Sequence, residues 1–142
     1  MDALMKYIGR IYRSSGLWRV DKLSEEGLSG IQHFYIFQIV RRPGISQEKL
    51  AEHIMVNKSN VARQLSAMEA AGLVVRKGSS EDKRVLEVYP TEKALEIYPK
   101  VVALMKQWNE LITEDLTEEE KKVLESVLPK MAKRAKELCE GK

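Results

Sequence analysis

One cysteine is all the thiol chemistry this chain of 142 residues carries. Cys139 alone cannot close an internal disulfide, so a reducing compartment, the cytoplasm, is the expected location. Histidine is almost as scarce. His33 and His53 are the two present, and with a single cysteine they show no metal-ligand spacing, so no metal site is expected. Long apolar runs are missing too, which leaves no candidate membrane span. The first residues, Met1-Asp2-Ala3-Leu4-Met5-Lys6, carry charge early and have no apolar stretch, so no signal peptide is expected. There is no P-loop, no dinucleotide-type glycine motif and no Ser/His/Asp arrangement. Neither an enzyme nor a cofactor is expected.

What is present is an ordinary globular composition, 44% hydrophobic and 32% charged, which argues against disorder. A chain of this length buries roughly 68–70% of its unfolded surface without needing staples. The net charge of +3 says little by itself, but its distribution says more. Residues 1–40 are net +1, residues 41–90 net +3 and residues 91–142 net −1. A basic centre between near-neutral ends suits a nucleic-acid-contacting module flanked by packing elements.

Periodicity supplies the elements. Residues 2–22 read as a helix with Leu4, Ile8, Ile11 and Trp18 near one face, weakened by Gly9 and Gly16. Residues 29–42 read as a largely buried helix, apolar over most of its circumference and stopped by Pro43-Gly44. Ser46 is placed to cap a short helix to about His53, and Asn57 to cap the next. In that next helix Val61, Leu65 and Met68 form a buried stripe, and Gly72 then Leu73 have the C-terminal capping pattern. Residues 73–76 and 84–89 read as the two strands of a hairpin around a polar loop, 77–83. A long amphipathic helix from Thr91 to about Asp115 follows, and Thr117-Glu118-Glu119-Glu120 is a capping box for a last one. Pro99 and Pro129 are expected to kink these two helices.

The fold class is therefore mainly α with a small β-hairpin wing: a helix-turn-helix followed by a wing, between N- and C-terminal helices. With Val61, Leu65 and Met68 inward, the second helix of the motif shows Lys58, Ser59, Asn60, Arg63 and Gln64 outward. Arg can bond guanine O6 and N7 together, and Asn or Gln can do so with adenine N6 and N7. Lys58 and Ser59, at the helix N-terminus, suit phosphate or base-edge contacts. The same residue types are common on any solvated helix face. Against that reading, this face carries no acid before Glu69 in a chain holding 21 of them. Ser46, Gln47 and Arg76 flank the motif and complete the candidate contact set. Lys77, Lys83 and Arg84 on the loop can reach flanking backbone or a narrow minor groove, with Asp82 positioned to hold Arg84. A bland charged turn is the alternative.

Three stretches carry a resemblance to the MarR family of bacterial regulators. They are Gly44-Ile45-Ser46-Gln47-Glu48-Lys49-Leu50-Ala51, then Lys58-Ser59-Asn60-Val61-Ala62-Arg63-Gln64-Leu65 with Ala71-Gly72-Leu73-Val74, then Asp82-Lys83-Arg84 leading to Thr91-Glu92-Lys93. The resemblance implies an obligate homodimer interlocked through its terminal helices. It implies recognition of double-stranded DNA by Ser59, Asn60, Arg63 and Gln64, and a minor-groove contact by Arg84. It further implies release of repression by a small aromatic or anionic effector. The chain departs from the family at Pro90 and Ala94, where Leu and Gly are usual. A peroxide-sensing branch uses a cysteine in the first helix, and here there is none, so thiol sensing is not expected.

On this reading residues 1–28 and 94–142 supply dimerisation helices and 29–93 the DNA-binding lobe. The terminal helices have apolar stripes too extensive for one small lobe, which also argues for two copies and a pseudo-palindromic operator. Tyr12, Arg13, Trp18, His33, Phe37 and Trp108 are candidates to line an effector pocket, although each taken singly is as well explained as core. Two further readings remain open: a winged-helix protein-interaction module, and an architectural DNA binder without an effector.

Overall fold

The structure, a computed structural model, describes residues 1–141. Among the described residues nine elements follow one another: α1 (Leu4–Ser24), α2 (Gln32–Arg41), β1 (Ile45–Ser46), α3 (Gln47–Ile54), α4 (Lys58–Ala70), β2 (Val74–Gly78), β3 (Leu86–Pro90), α5 (Glu92–Ile112) and α6 (Glu118–Glu140). They fall into two compact units, Met1–Met105 and the chain from Lys106 onward. No helix among the described residues is long and apolar enough to cross a membrane.

Local chemistry accounts for the boundaries in the first unit. Ser46 accepts the Lys49 N–H at 3.1 Å and opens α3, and Asn57 accepts the Asn60 N–H at 2.7 Å and opens α4. Between them Met55, at φ +61°, is the non-glycine residue in the left-handed region and makes the turn tight. At the far end of α4, Leu73 N–H bonds Met68 C=O at 2.9 Å and Gly72 N–H bonds Glu69 C=O at 3.0 Å. That pair of bonds is a Schellman cap, and it requires the positive φ of +75° that Gly72 adopts.

The wing is larger than a hairpin. β2 and β3 pair antiparallel from Val74 opposite Pro90 to Gly78 opposite Leu86. A third strand, β1, pairs with the other side of β3, Ile45 opposite Val88 and Ser46 opposite Glu87. The sheet order is thus β1-β3-β2. Arg84 falls in the loop before β3, where the sequence pattern had put it in the strand. Gly44, at φ +86°, turns the chain from α2 into β1 and donates its N–H to Val88 C=O at 2.8 Å.

The core of this unit comes from every layer. Tyr35, Ile36 and Ile39 of α2 meet Leu50 and Ala51 of α3, Val61, Leu65 and Met68 of α4, Val74 and Val88 of the sheet, and Ala94, Ile97 and Val101 of α5. Ala94 is fully buried, so the departure from the family's glycine is accommodated as a core methyl. α1 buries Ser15, Arg19 and Leu23. Those positions continue the face that begins at Leu4 and Ile8, but the earlier part of the helix is left open, with Met5, Ile11 and Tyr12 exposed.

In the second unit the capping box forms as its spacing predicts: Thr117 Oγ1 accepts the Glu120 N–H at 3.2 Å, and Glu120 accepts the Thr117 N–H at 2.9 Å. α6 buries no side chain, and Val123, Val127, Leu128 and Leu138 stand exposed along it. α5 and α6 run through Pro99 and Pro129 as single helices, so neither proline ends one.

Candidate nucleic-acid interface

The Val61–Leu65–Met68 stripe is fully buried, and this fixes the rotation of α4. Lys58, Ser59 and Arg63 are consequently exposed, and Asn60 and Gln64 half-buried at the edge of the same face. Several of these side chains already have partners within the lobe. Lys58 Nζ lies 2.7 Å from Glu48 Oε1 of α3, a pair in which both side chains are mostly solvent-exposed. The bond raises the Lys58 ammonium above its ordinary pKa and lowers the Glu48 carboxyl. Ser59 Oγ donates to Asn57 Oδ1 at 2.8 Å, so one cap oxygen serves two donors. Gln64 Oε1 accepts from Gln32 Nε2 of α2 at 3.3 Å. Arg63 is exposed and has no hydrogen bond or ion pair among those the structure shows for the described residues, and its charge acts on the buried Tyr35 hydroxyl.

Arg76 has a different place from the one its sequence position suggested. Its guanidinium donates to Glu69 (3.3 Å), Ser66 (3.1 Å) and Gln47 (3.0 Å), and its side chain is 18% exposed. It clamps β2 to α4 and α3, and holds the Glu69 carboxyl below the usual carboxylate range. Gln47 takes part in the same clamp. Arg76 and Gln47 therefore brace the motif internally, while Ser46 caps α3.

The wing loop presents its basic residues as the sequence suggests. Asp82 Oδ1 accepts from Arg84 N (3.0 Å) and Nε (3.1 Å), and Oδ2 from Nη2 (3.2 Å). This two-pronged grip depresses the Asp82 pKa and points Arg84 outward with 92% of its side chain exposed. Lys83 beside it is exposed. The loop can close because Gly78 lacks a side chain: a Cβ there would sit 3.1 Å from the Lys83 carbonyl oxygen and 3.2 Å from its Cα. Lys77 instead lies over the Tyr89 ring, 5.3 Å from its centre. Between wing and helices runs an open cleft of about 230 Å³, lined by Ser46, Gln47, Glu48, Lys58, Arg84, Val85 and Leu86. Its walls thus bring Lys58 and Arg84 to one surface.

Five of the effector-pocket candidates, Tyr12, Arg13, Trp18, His33 and Phe37, lie on α1 and α2. His33 is buried (1% exposed), its ring 3.9 Å from that of Phe34, and neither ring nitrogen makes a well-formed hydrogen bond. Burial, and then the nearby Arg19 charge, lower its pKa to about 4. Arg19, buried and with its guanidinium carbon 5.5 Å from the Phe34 ring centre, was not legible as a polar group in an apolar face. Phe37 sits between Tyr98 (6.2 Å) and Arg41 (5.0 Å), and Trp18 under Lys22 (4.5 Å). Tyr12 and Arg13 are exposed, and Trp108 lies in the second unit. A second cleft, of about 370 Å³, is lined by Glu25, Glu26, Lys93, Glu96 and Lys100 and by none of the six.

Comparison with known proteins follows the same order of elements. The MarR family model matches residues 26–85. The HTH-type transcriptional regulator BilQ of Clostridium symbiosum (strain WAL-14163) is 30% identical over 135 residues, spanning 94% of this chain and 93% of that one. The crystal structure of the transcriptional regulator SlyA superposes with a TM-score of 0.91 at 30% identity, covering 94% of each chain. A MarR family regulator of Listeria monocytogenes, solved with a 26mer DNA, superposes with a TM-score of 0.88 at 26% identity, over 94% of this chain and 89% of that one. Relatives of this kind are transcriptional regulators, and the likeness runs the length of the chain. Together with the buried stripe of α4 and the Asp82–Arg84 wing, it establishes that this chain belongs to the MarR family of winged helix-turn-helix transcriptional regulators.

Proposed function

We propose that the protein is a sequence-specific, double-stranded-DNA-binding repressor that acts as a homodimer and is released by a small aromatic or anionic effector. The observation that carries the DNA reading is the shared surface of α4 and the wing. Lys58 and Arg84 line one cleft, with Arg63 open beside it on α4 and no acid on that helix face before Glu69. Seated in a major groove, α4 offers Ser59, Asn60, Arg63 and Gln64 to base edges, while Arg84 reaches the adjoining minor groove. The Listeria monocytogenes relative solved with a 26mer DNA supports DNA as the partner.

The homodimer is supported by apolar surface that each unit leaves uncovered: Met5, Tyr7, Ile11, Leu17 and Val20 on α1, and Val123, Val127, Leu128 and Leu138 on α6. Burying one such side chain is worth roughly 1.5–3 kcal/mol, so two copies sharing these faces have a strong reason to associate. In this reading residues 1–28 and 94–142 build the dimer and 29–93 the DNA-binding lobe. A two-fold dimer calls for a pseudo-palindromic operator with half-sites about 34–36 Å apart. Effector release rests on family membership.

Two substitutions test the docking. Arg63→Ala weakens specific binding by roughly 1–3 kcal/mol and relaxes preference at one base position. Arg84→Ala weakens binding and blunts any A·T preference beside the half-sites. If neither alters affinity at moderate salt, the docking is wrong.

A further inference from the structure

We infer that Gln32, a buried residue of α2, orients the Gln64 carboxamide and so decides what kind of base edge Gln64 reads. The inference rests on α4 being the DNA-recognition helix, and it concerns how that helix is set.

The argument starts at an unambiguous donor. The backbone N–H of Ser29 lies 3.1 Å from the Gln32 side chain. A backbone N–H can only donate, so the Gln32 atom facing it is the carbonyl oxygen. The bond ties Ser29, in the turn before α2, to the first residue of that helix. Gln32 is 6% exposed, which leaves water little access to turn the amide over. Its Nε2 must therefore face Gln64, 3.3 Å away, and the Gln64 atom that receives it must be an acceptor, Oε1. One backbone amide thus fixes two side-chain amides in series.

The consequence is chemical. A Gln that reads adenine in two-pronged fashion turns both oxygen and nitrogen to the base. Here Gln32 takes one lone pair of the oxygen and holds that oxygen toward α2, so the –NH₂ group is the end of the carboxamide turned toward the groove. Gln64 then addresses acceptors: guanine O6 or N7, thymine O4, or adenine N7. The adenine pairing that its residue type alone suggests gives way to a contact led by the –NH₂ donor. Gln32 touches no base itself; it is a positioning residue.

The relay can be reversed by one substitution. In Gln32→Glu both side-chain oxygens accept. One keeps the Ser29 N–H, and the other draws the Gln64 nitrogen inward, turning the Gln64 oxygen outward toward donors such as adenine N6 or cytosine N4. The added negative charge lowers affinity for all duplexes alike, so the readout is relative affinity. Fluorescence anisotropy is measured against an operator and its single-base-pair variants, for the wild type, Gln64→Ala, Gln32→Glu and Gln32→Met.

Gln64→Ala identifies the position read by Gln64. At that position Gln32→Glu is expected to move the preference from an acceptor-presenting to a donor-presenting base, by roughly five- to tenfold in relative affinity. Gln32→Met removes the tether and relaxes the preference there without reversing it, and so tests the relay even if the charged variant folds poorly. In a Gln64→Ala background neither Gln32 substitution changes base preference. If Gln64→Ala alters no position, or if both Gln32 variants keep the wild-type preference, the inference is overturned. A wild-type protein that does not distinguish operator from scrambled duplex overturns the underlying reading of α4 instead.

Discussion

Acid should unfold this protein through His33 more than through any exposed group. The imidazole is buried beside Arg19, and its pKa falls from 6.5 to about 4. A depressed histidine binds fewer protons folded than unfolded between those values. Stability is therefore complete above pH 6.5 and is lost as pH falls toward 4. Two and a half pKa units correspond to roughly 3 kcal/mol, of which about 2.5 is lost by pH 4.5. That is a large part of a stability of roughly 5–15 kcal/mol. The perturbation is His33→Leu, which keeps an apolar group of similar volume and removes the proton site.

The assay is urea denaturation at fixed protomer concentration, at pH 7.5 and 4.5, because the stability of a dimer depends on concentration. Exposed acids such as Glu48, Glu69 and Asp82, whose pKa values their basic partners lower, act equally in both proteins and cancel. The wild type is expected to lose about 2.5 kcal/mol more than the variant between the two pH values. Equal losses in both would refute the argument that His33 is held neutral by burial and Arg19.

Glu48→Gln frees Lys58 from its 2.7 Å partner and is expected to tighten binding to scrambled and operator duplexes alike by a few-fold, with a smaller gain in a Lys58→Met background. Leu65→Ala empties a fully buried position on α4 and should destabilise the fold by roughly 2–5 kcal/mol in thermal or urea melts. Val123→Asp with Leu128→Asp puts charge on the open face of α6 and should shift sedimentation from dimer to monomer while leaving helical circular dichroism intact.

Much of the frame could be read from short-range chemistry. Ser46, Asn57 and Thr117 cap the helices they precede, and Gly72 makes the Schellman turn its spacing suggests, because each device lies within a few residues. The α4 stripe was legible for the same reason: burial at i, i+4 and i+7 is a property of one helix. What escaped depends on contacts made across the chain. β1 is two residues long, too short for any period, and exists only because Val88 and Glu87 come to lie beside it. Arg76 reads as a basic residue near a wing until the fold brings Glu69, Ser66 and Gln47 around it. Gln32 and Gln64 meet across 32 residues. α1 misled in a more instructive way. Its apolar face was visible from Leu4 onward, but its covered part is centred on Ser15 and Arg19, while Ile11 and Tyr12 stay open. A stripe in the sequence marks surface to be buried, and within one chain only part of this one is.

The account's central claim is that α4 and the wing grip DNA in a sequence-dependent way. It is tested most directly by fluorescence anisotropy of the wild-type protein with a duplex from the promoter region upstream of its own gene, against a scrambled duplex, across a salt series. The claim predicts tighter binding to the promoter duplex and a slope of log K against log salt of roughly −4 to −5, as expected if two protomers each bring Lys58 and Lys83 to the backbone, with Arg84 in the minor groove beside it. Affinity that is equal for both duplexes at every salt concentration, or no binding even at low salt, would contradict it.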